Sequence, residues 1–194
     1  MEFNSNILRI GNMENVSSKI QEFIRNQLVS FKRRGIVIGL SGGIDSAVTA
    51  ALCVKAIGSD NTLGLILPEK DSNPKSKHYA ELLAQRLGIR TEIVDMTQIL
   101  QSFGIYETRD SIVKKNFAQF DSFCKYRLVV PNDLLEKDRI AVPYLEILDG
   151  ADTVHKVKLS LEDYSSITVA TTVKLRTRMT MLDRKSTRLN SSHT

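Results

Sequence analysis

Six consecutive residues, Ser41, Gly42, Gly43, Ile44, Asp45 and Ser46, combine types and spacing that can grip an anion. Ile36, Val37, Ile38 and Leu40 lead into them as a short apolar run, with Gly39 inside it. That length and composition predict a buried strand of a parallel sheet. Ala47, Val48 and Ala50 follow at helical spacing. The two glycines let the chain bend sharply and bring amide groups near a ligand. A helix that begins there presents unpaired N–H groups and the positive end of its dipole, which favour a phosphate or pyrophosphate. Ser41 and Ser46 add hydroxyls. Asp45 would repel a bare phosphate, so its presence implies Mg²⁺ between carboxylate and phosphate. The bland alternative is an ordinary strand-to-helix turn with Ser and Asp as caps. The strand before, the helix after and the residue types together favour the anion site.

The turn is neither a Walker A loop, because no Lys stands at the helix start, nor the dinucleotide G-x-G-x-x-G.

The elements that must position this turn alternate. An amphipathic helix is expected over 15–31, capped by Asn15 or Ser17, then a strand over 35–40. A helix follows over 45–57, ended by Gly58, then a strand over 62–67 closed by Pro68. After a polar loop at 69–74 come a helix over 75–87 with Gly88 at its end, a strand over 91–95 and a short helix over 96–103. This is the spacing of right-handed βαβ units, so the fold class is α/β, a doubly wound parallel sheet of Rossmann-like form. Ligands bind beyond the carboxyl ends of such strands. The 41–46 turn, the 67–72 loop and the segment after Asp95 are therefore expected to line one cleft.

From Gly104 the pattern changes. A helix over 111–123, strands over 126–130, 139–147 and 153–159, and an Asp149-Gly150 turn predict a small β-hairpin excursion over 104–160. A last helix starts near Leu161, with Ser160 as N-cap and Asp163 three positions on.

The chain has 194 residues, 42% of them hydrophobic, which suits one domain with a small excursion. No run reaches the ~20 apolar residues of a membrane span, so no membrane partner is expected. The first nine residues carry no secretory pattern, and Cys53 and Cys124 form no metal or redox spacing. A cytoplasmic location follows as the default. Cys53 reads as core. The net charge of +5 is mild and partly due to the last residues, so no nucleic-acid partner is expected. Residues 183–193, DRKSTRLNSSH, back-translate to a common sequencing adapter. The expectation is a partial domain over 1–182 and a non-native tail over 183–194.

With Leu-Ser-Gly-Gly-Ile-Asp-Ser-Ala-Val at 40–48, Leu-Ile-Leu-Pro at 65–68 and Leu-Arg-Thr-Arg-Met at 175–179, the chain resembles ammonia-dependent NAD synthetases of the PP-loop ATP pyrophosphatase superfamily. The middle region, with Leu-Leu-Glu-Lys-Asp-Arg at 134–139, is similar to a subgroup found with bacterial surface-polysaccharide genes. The resemblance implies an ATP-dependent ligase that adenylates the carboxylate of deamido-NAD and aminates it with ammonia. It implies ATP and Mg²⁺ as cofactors, and ammonia supplied free or by a separate glutaminase. A homodimer is also implied. The resemblance carries Gly39, Leu40, Ser41, Gly42, Gly43, Ile44, Asp45 and Ser46 over as the ATP and pyrophosphate loop, Asp45 as a metal ligand, and Leu67 as an adenine contact. It carries Arg176 and Arg178 over as substrate contacts. Thr172 and Lys174 stand where the family has Asn and Gln, which leaves the acceptor open. The family's later glutamate ligand and ATP-contacting lysines lie in a segment expected to be missing, so weak or no turnover is expected. The competing readings are a PP-loop enzyme amidating another carboxylate, such as a sugar acid, and an inactive ATP-binding fragment. His78 and His155 are expected to face solvent. Lys70 and Lys75 flank the loop after the second strand, where they could approach phosphates.

Overall fold

The computed structural model describes residues 11–120, 124–129, 143–151 and 153–191. The Leu-Leu-Glu-Lys-Asp-Arg segment at 134–139 and the start of the strand expected over 139–147 lie outside them. The elements are α1 (Met13–Ser30), β1 (Ile36–Gly39), α2 (Ile44–Ile57), β2 (Thr62–Ile66), α3 (Pro74–Leu87), β3 (Arg90–Ile93), α4 (Thr97–Ser102), α5 (Ile105–Asn116), β4 (Lys125–Val129), β5 (Tyr144–Leu148), β6 (Val154–Lys158) and α6 (Leu161–Ser191). They fall into two compact units. One comprises Met1–Thr97 with Arg178–Thr194, the other Gln98–Thr177.

The first unit is built on a parallel sheet in the order β1-β2-β3. Gly39 pairs with Leu65 and Ile66 with Ile93, so the strands end together. Period-two alternation gives the sheet two apolar faces. Ile38, Leu40 and Ile66 pack on one face against α2 and α3 through Ala50, Ala80 and Ala84. Small helix residues let the backbones approach. Gly64 is on the same face, where a β-carbon would stand 2.6 Å from Leu40 Cδ1 and 3.1 Å from Thr91 Cγ2. On the other face the last turns of α6 lie against the sheet. Leu182 is 3.6 Å from where a Gly39 β-carbon would be, and Lys185 is ion-paired with Glu92. Helices therefore cover both faces, as the α/β reading requires.

Local chemistry sets the ends. Asn12, not Asn15 or Ser17, caps α1, its side chain accepting from the Asn15 N–H at 2.9 Å. Gly58 and Gly88 close α2 and α3 as expected. α3 begins one residue early, because Pro74 takes the first helical position and Asn73 Oδ1 accepts from the Lys75 N–H.

The second unit sets the antiparallel sheet β4-β5-β6 against α5 and the first part of α6. Ile112, Val113, Leu145, Ile147, Leu159 and Ile167 form its core. The hairpin expected around Asp149-Gly150 is the β5–β6 pair. α5 starts at Ile105, six residues before the expected position, and ends at Asn116. Gly104, at φ 66°, caps its start, and the buried Tyr106 and Arg109 belong to its first turns. Their polar tips hid the inward face from a hydrophobic pattern. Ser160 Oγ accepts from the Asp163 N–H at 3.1 Å, as the capping reading expects. The Asp163 carboxylate also reaches α5, accepting from Lys115 Nζ at 3.0 Å and Asn116 Nδ2 at 3.1 Å.

His155 departs from expectation. On β6 it is Val154 that faces solvent, 56% exposed, while His155 and Val157 are half-buried. The imidazole is 2.7 Å from Asp149 Oδ2 and stacks on Phe117 at 4.9 Å. A polar partner in the turn makes the inward place tolerable for a histidine. His78 is exposed, as expected.

Candidate active site

β1 keeps its ladder one residue past its end, the Leu40 N–H donating to Leu65 O at 2.9 Å. The chain then bends through Ser41, Gly42 and Gly43. Gly42 has φ +77°, the left-handed region that only glycine enters without strain. A β-carbon there would also fall within 3.0 Å of the Ser76 backbone. The turn is thus pressed against the first turn of α3. Gly43 is the N-cap of α2 and makes no side-chain capping bond. The first intrahelical bond runs from the Ala47 N–H to Gly43 O, so the amides of Ile44, Asp45 and Ser46 precede it.

Both hydroxyls brace the turn. Ser46 Oγ donates to Gly43 O at 2.9 Å and lies 3.0 Å from Ser41 Oγ. Ser41 Oγ accepts from the Gly43 N–H at 3.2 Å. Without this bracing an exposed glycine turn would sample many shapes; with it, the backbone amides are pre-arranged.

Beside the turn, beyond the carboxyl ends of β1 and β2, is a cleft of about 390 Å³. That is within the range of small-molecule sites. Gly39, Leu40 and Ser41 form one wall, and Ile66, Leu67 and Pro68 another. Leu67 is the first residue past the ladder; Ile66 O already accepts from the Val94 N–H and Pro68 O from the Met96 N–H. Ser72, Asn73, Ser76 and Lys77 contribute from the start of α3, and Arg178 and Leu182 from α6.

The expected site residues divide. Gly39, Leu40, Ser41, Leu67 and Arg178 line this cleft. Gly42, Gly43 and Ile44 line a shallower neighbour between α2 and α3. Ser46 is the brace. Asp45 is exposed in the first turn of α2, and its carboxylate makes no hydrogen bond or ion pair among the described residues. Arg178 is half-buried and also makes none among them. Arg176, two residues earlier on α6, is exposed and belongs to the second unit. The segment after Asp95 is not among the lining residues of the cleft. Asp95 instead caps α4, its Oδ1 accepting from the Thr97 N–H at 2.8 Å. Hydrogen bonds from the Thr97 side chain and then its N–H hold the carboxyl below the usual range. Lys77 was missed. Of the lysines near this loop it is Lys77, on the first turn of α3, that lines the cleft with Arg178, not Lys70 or Lys75.

Mg²⁺ suits this chemistry. It takes oxygen ligands, typically one or two carboxylates with substrate phosphates and water, and not an all-protein cage. No group of three or more His, Cys, Asp or Glu residues is found among the described residues. An uncommitted Asp45 at the start of α2 matches the first pattern.

The family model described as NAD synthase matches residues 16–130, more than half of the chain. The chain belongs to the NAD synthase family. The match takes in the whole 41–46 turn and Leu67. An NH₃-dependent NAD⁺ synthetase of Methanocaldococcus jannaschii is 53% identical over 92 residues, 47% of this chain and 36% of that protein. Its counterpart in Rhizobium rhizogenes is 33% identical over 190 residues, 96% of this chain and 56% of that protein. The chain thus spans about a third to a half of the length of such NAD synthase relatives. A solved NH₃-dependent NAD synthetase of Campylobacter jejuni is similar with a TM-score of 0.45 and 29% identity, over 50% of this chain and 48% of that one.

Proposed function

We propose that the protein is an ATP-dependent amide ligase that turns deamido-NAD into NAD with ammonia, releasing AMP and pyrophosphate. The observation that carries the reading is the 41–46 turn, opening from the carboxyl end of β1 onto α2 beside the cleft that holds Leu67. In this reading the adenine lies along the Leu67 backbone, and the phosphates lie against the turn. The substrate carboxylate attacks the α-phosphorus, and the bond to the bridging oxygen of pyrophosphate breaks. Negative charge moves onto the leaving group. The backbone amides at the start of α2 face that charge without rearranging, which is the condition for electrostatic stabilisation of a transition state. Ammonia then attacks the acyl carbon, AMP departs with the electrons of the acyl–oxygen bond, and the extra proton passes to solvent.

Asp45 is the residue that would hold Mg²⁺, which when bound neutralises phosphate oxygens. Arg178, at the cleft wall, and Arg176 are assigned to the anionic groups of deamido-NAD, a role that suits a permanent planar cation. Use of ammonia in place of glutamine belongs to the same proposal, as does assembly into a homodimer. Exposed Met13, Ile20 and Phe23 on one side of α1 support an apolar contact surface. A cytoplasmic location is supported by Cys53 and Cys124, neither of which is in a disulfide. No helix among the described residues is long and apolar enough to cross a membrane.

The test is pyrophosphate release. The protein is mixed with Mg²⁺, ATP, ammonia and deamido-NAD, and product NAD is measured alongside. Release that depends on deamido-NAD supports the reading. Release that depends instead on another carboxylate, such as a uronic acid, overturns the choice of acceptor.

A further inference from the structure

Among the described residues, two cations and no carboxylate line the cleft beside the 41–46 turn. Arg178 is one and Lys77 the other. They come from opposite faces of the sheet. α3 packs on the face of Leu40 and Ile66, while the α6 segment that carries Arg178 and Leu182 approaches on the face of Gly39. A cleft of this sign concentrates anions.

Lys77 has a second tie to the phosphate turn. The backbone of Ser76, the residue before it, lies against Gly42 closely enough to exclude a β-carbon. The first turn of α3 and the glycine turn are one packed object, so Lys77 is carried at a fixed place next to it. Its other partners are weak competitors. Glu81 is 3.9 Å away on the same helix, and both side chains are nearly half exposed. Such exposed pairs contribute little. The Asp95 carboxylate is committed to the Thr97 side chain and N–H, and the Lys77 charge acts on it only weakly.

We infer that Lys77 is the residue of this chain that selects a triphosphate over a monophosphate: its ammonium binds the β- and γ-phosphate oxygens across the cleft from Arg178. This rests on the nucleotide reading of the site. A compact ammonium on a flexible stem suits oxygens that move as pyrophosphate departs.

Calorimetric titration of the full chain with Mg²⁺ tests it, using ATP, pyrophosphate and AMP against the unaltered protein, Lys77→Ala and Lys77→Arg. Lys77 is exposed, and unchanged far-UV circular dichroism and melting check each variant. Loss of one charge-assisted bond predicts about tenfold weaker ATP and pyrophosphate binding in Lys77→Ala, with AMP changed by less than about twofold and most of the loss restored in Lys77→Arg. Equal weakening of all three ligands overturns the selective role. Unchanged ATP affinity in Lys77→Ala, with ATP bound by the unaltered protein, overturns the assignment of Lys77 alone. No ATP or pyrophosphate uptake by the unaltered protein overturns the nucleotide reading, and Lys77 with it.

Discussion

Gly42 and Ser76 touch through backbone alone: a β-carbon on Gly42 would stand under 3.0 Å from the Ser76 oxygen, carbonyl carbon and α-carbon. The glycine is therefore required twice, by its positive φ and by its neighbour. No flexible side chain is available to yield, since the obstacle is the first turn of α3.

Gly42→Ala is expected to destabilise the first unit by about 2–4 kcal/mol, from left-handed strain of about 1–2 kcal/mol and overpacking of similar size. Urea unfolding measures it. Binding of pyrophosphate should fall further than stability does, because the turn itself moves. A variant that unfolds and binds like the unaltered protein would show that the turn and α3 are not packed as described.

Ser46→Ala is expected to keep the fold and loosen the turn. It removes the bond to Gly43 O and the contact with Ser41 Oγ. One hydrogen bond of this kind is worth about 1 kcal/mol, so melting should shift by only a few degrees. Amide exchange at Gly42 and Gly43 should accelerate markedly. Unaltered exchange there would rule out the bracing role.

In the second unit Asp163 is buried at the junction of α5 and α6. Hydrogen bonds from Asn116 and then Lys115 hold its carboxyl below the usual carboxylate range. A depressed carboxyl contributes stability above the unfolded value of about 4, and that contribution is lost as pH falls through the lower folded value. Urea unfolding followed from pH 7 down to pH 3 should show the loss beginning near pH 5. Asp163→Asn should cost about 1 kcal/mol at pH 7, since Lys115 is largely exposed, and should flatten this acid limb. An identical acid limb in the variant would contradict the assignment.

The Asp149 carboxylate ties the β5–β6 turn. It accepts from the Ala151 and Thr153 N–H groups at 2.9 Å each and pairs with His155. The His155 bond is the main cause of its lowered pKa. Asp149→Ala is expected to speed amide exchange at Ala151 and Thr153 while leaving β4 protected. Exchange that stays slow at both positions would show that the strands alone hold the turn.

How legible each part was follows from what the residues had to satisfy. β1 and β2 are plain because their residues are largely apolar and β2 is buried along its whole length, whereas β3, Arg-Thr-Glu-Ile and mostly exposed, has no such run. The glycine turn was plain because only one residue type fits beside Ser76. α5 starts six residues before the expected helix and ends seven residues before its end, because Tyr106 and Arg109 turn inward with polar ends, the guanidinium paired with Asp110 at 2.7 Å and lying over the Tyr106 ring. His155 was put on the wrong face because its inward place depends on Asp149, six residues earlier across the turn. Lys77 is not legible because which of three nearby lysines reaches the cleft depends on how the first turn of α3 packs against Gly42. Pairings and helix phases of this kind are set by tertiary neighbours, which a hydrophobic pattern does not record.

The central claim is that the turn between β1 and α2 receives the phosphates of an adenine nucleotide, and calorimetry of the folded chain with Mg²⁺ and ATP tests it most directly. The account predicts saturable ATP binding that pyrophosphate displaces and Gly42→Ala abolishes. A well-folded protein that takes up neither ATP nor pyrophosphate would contradict it.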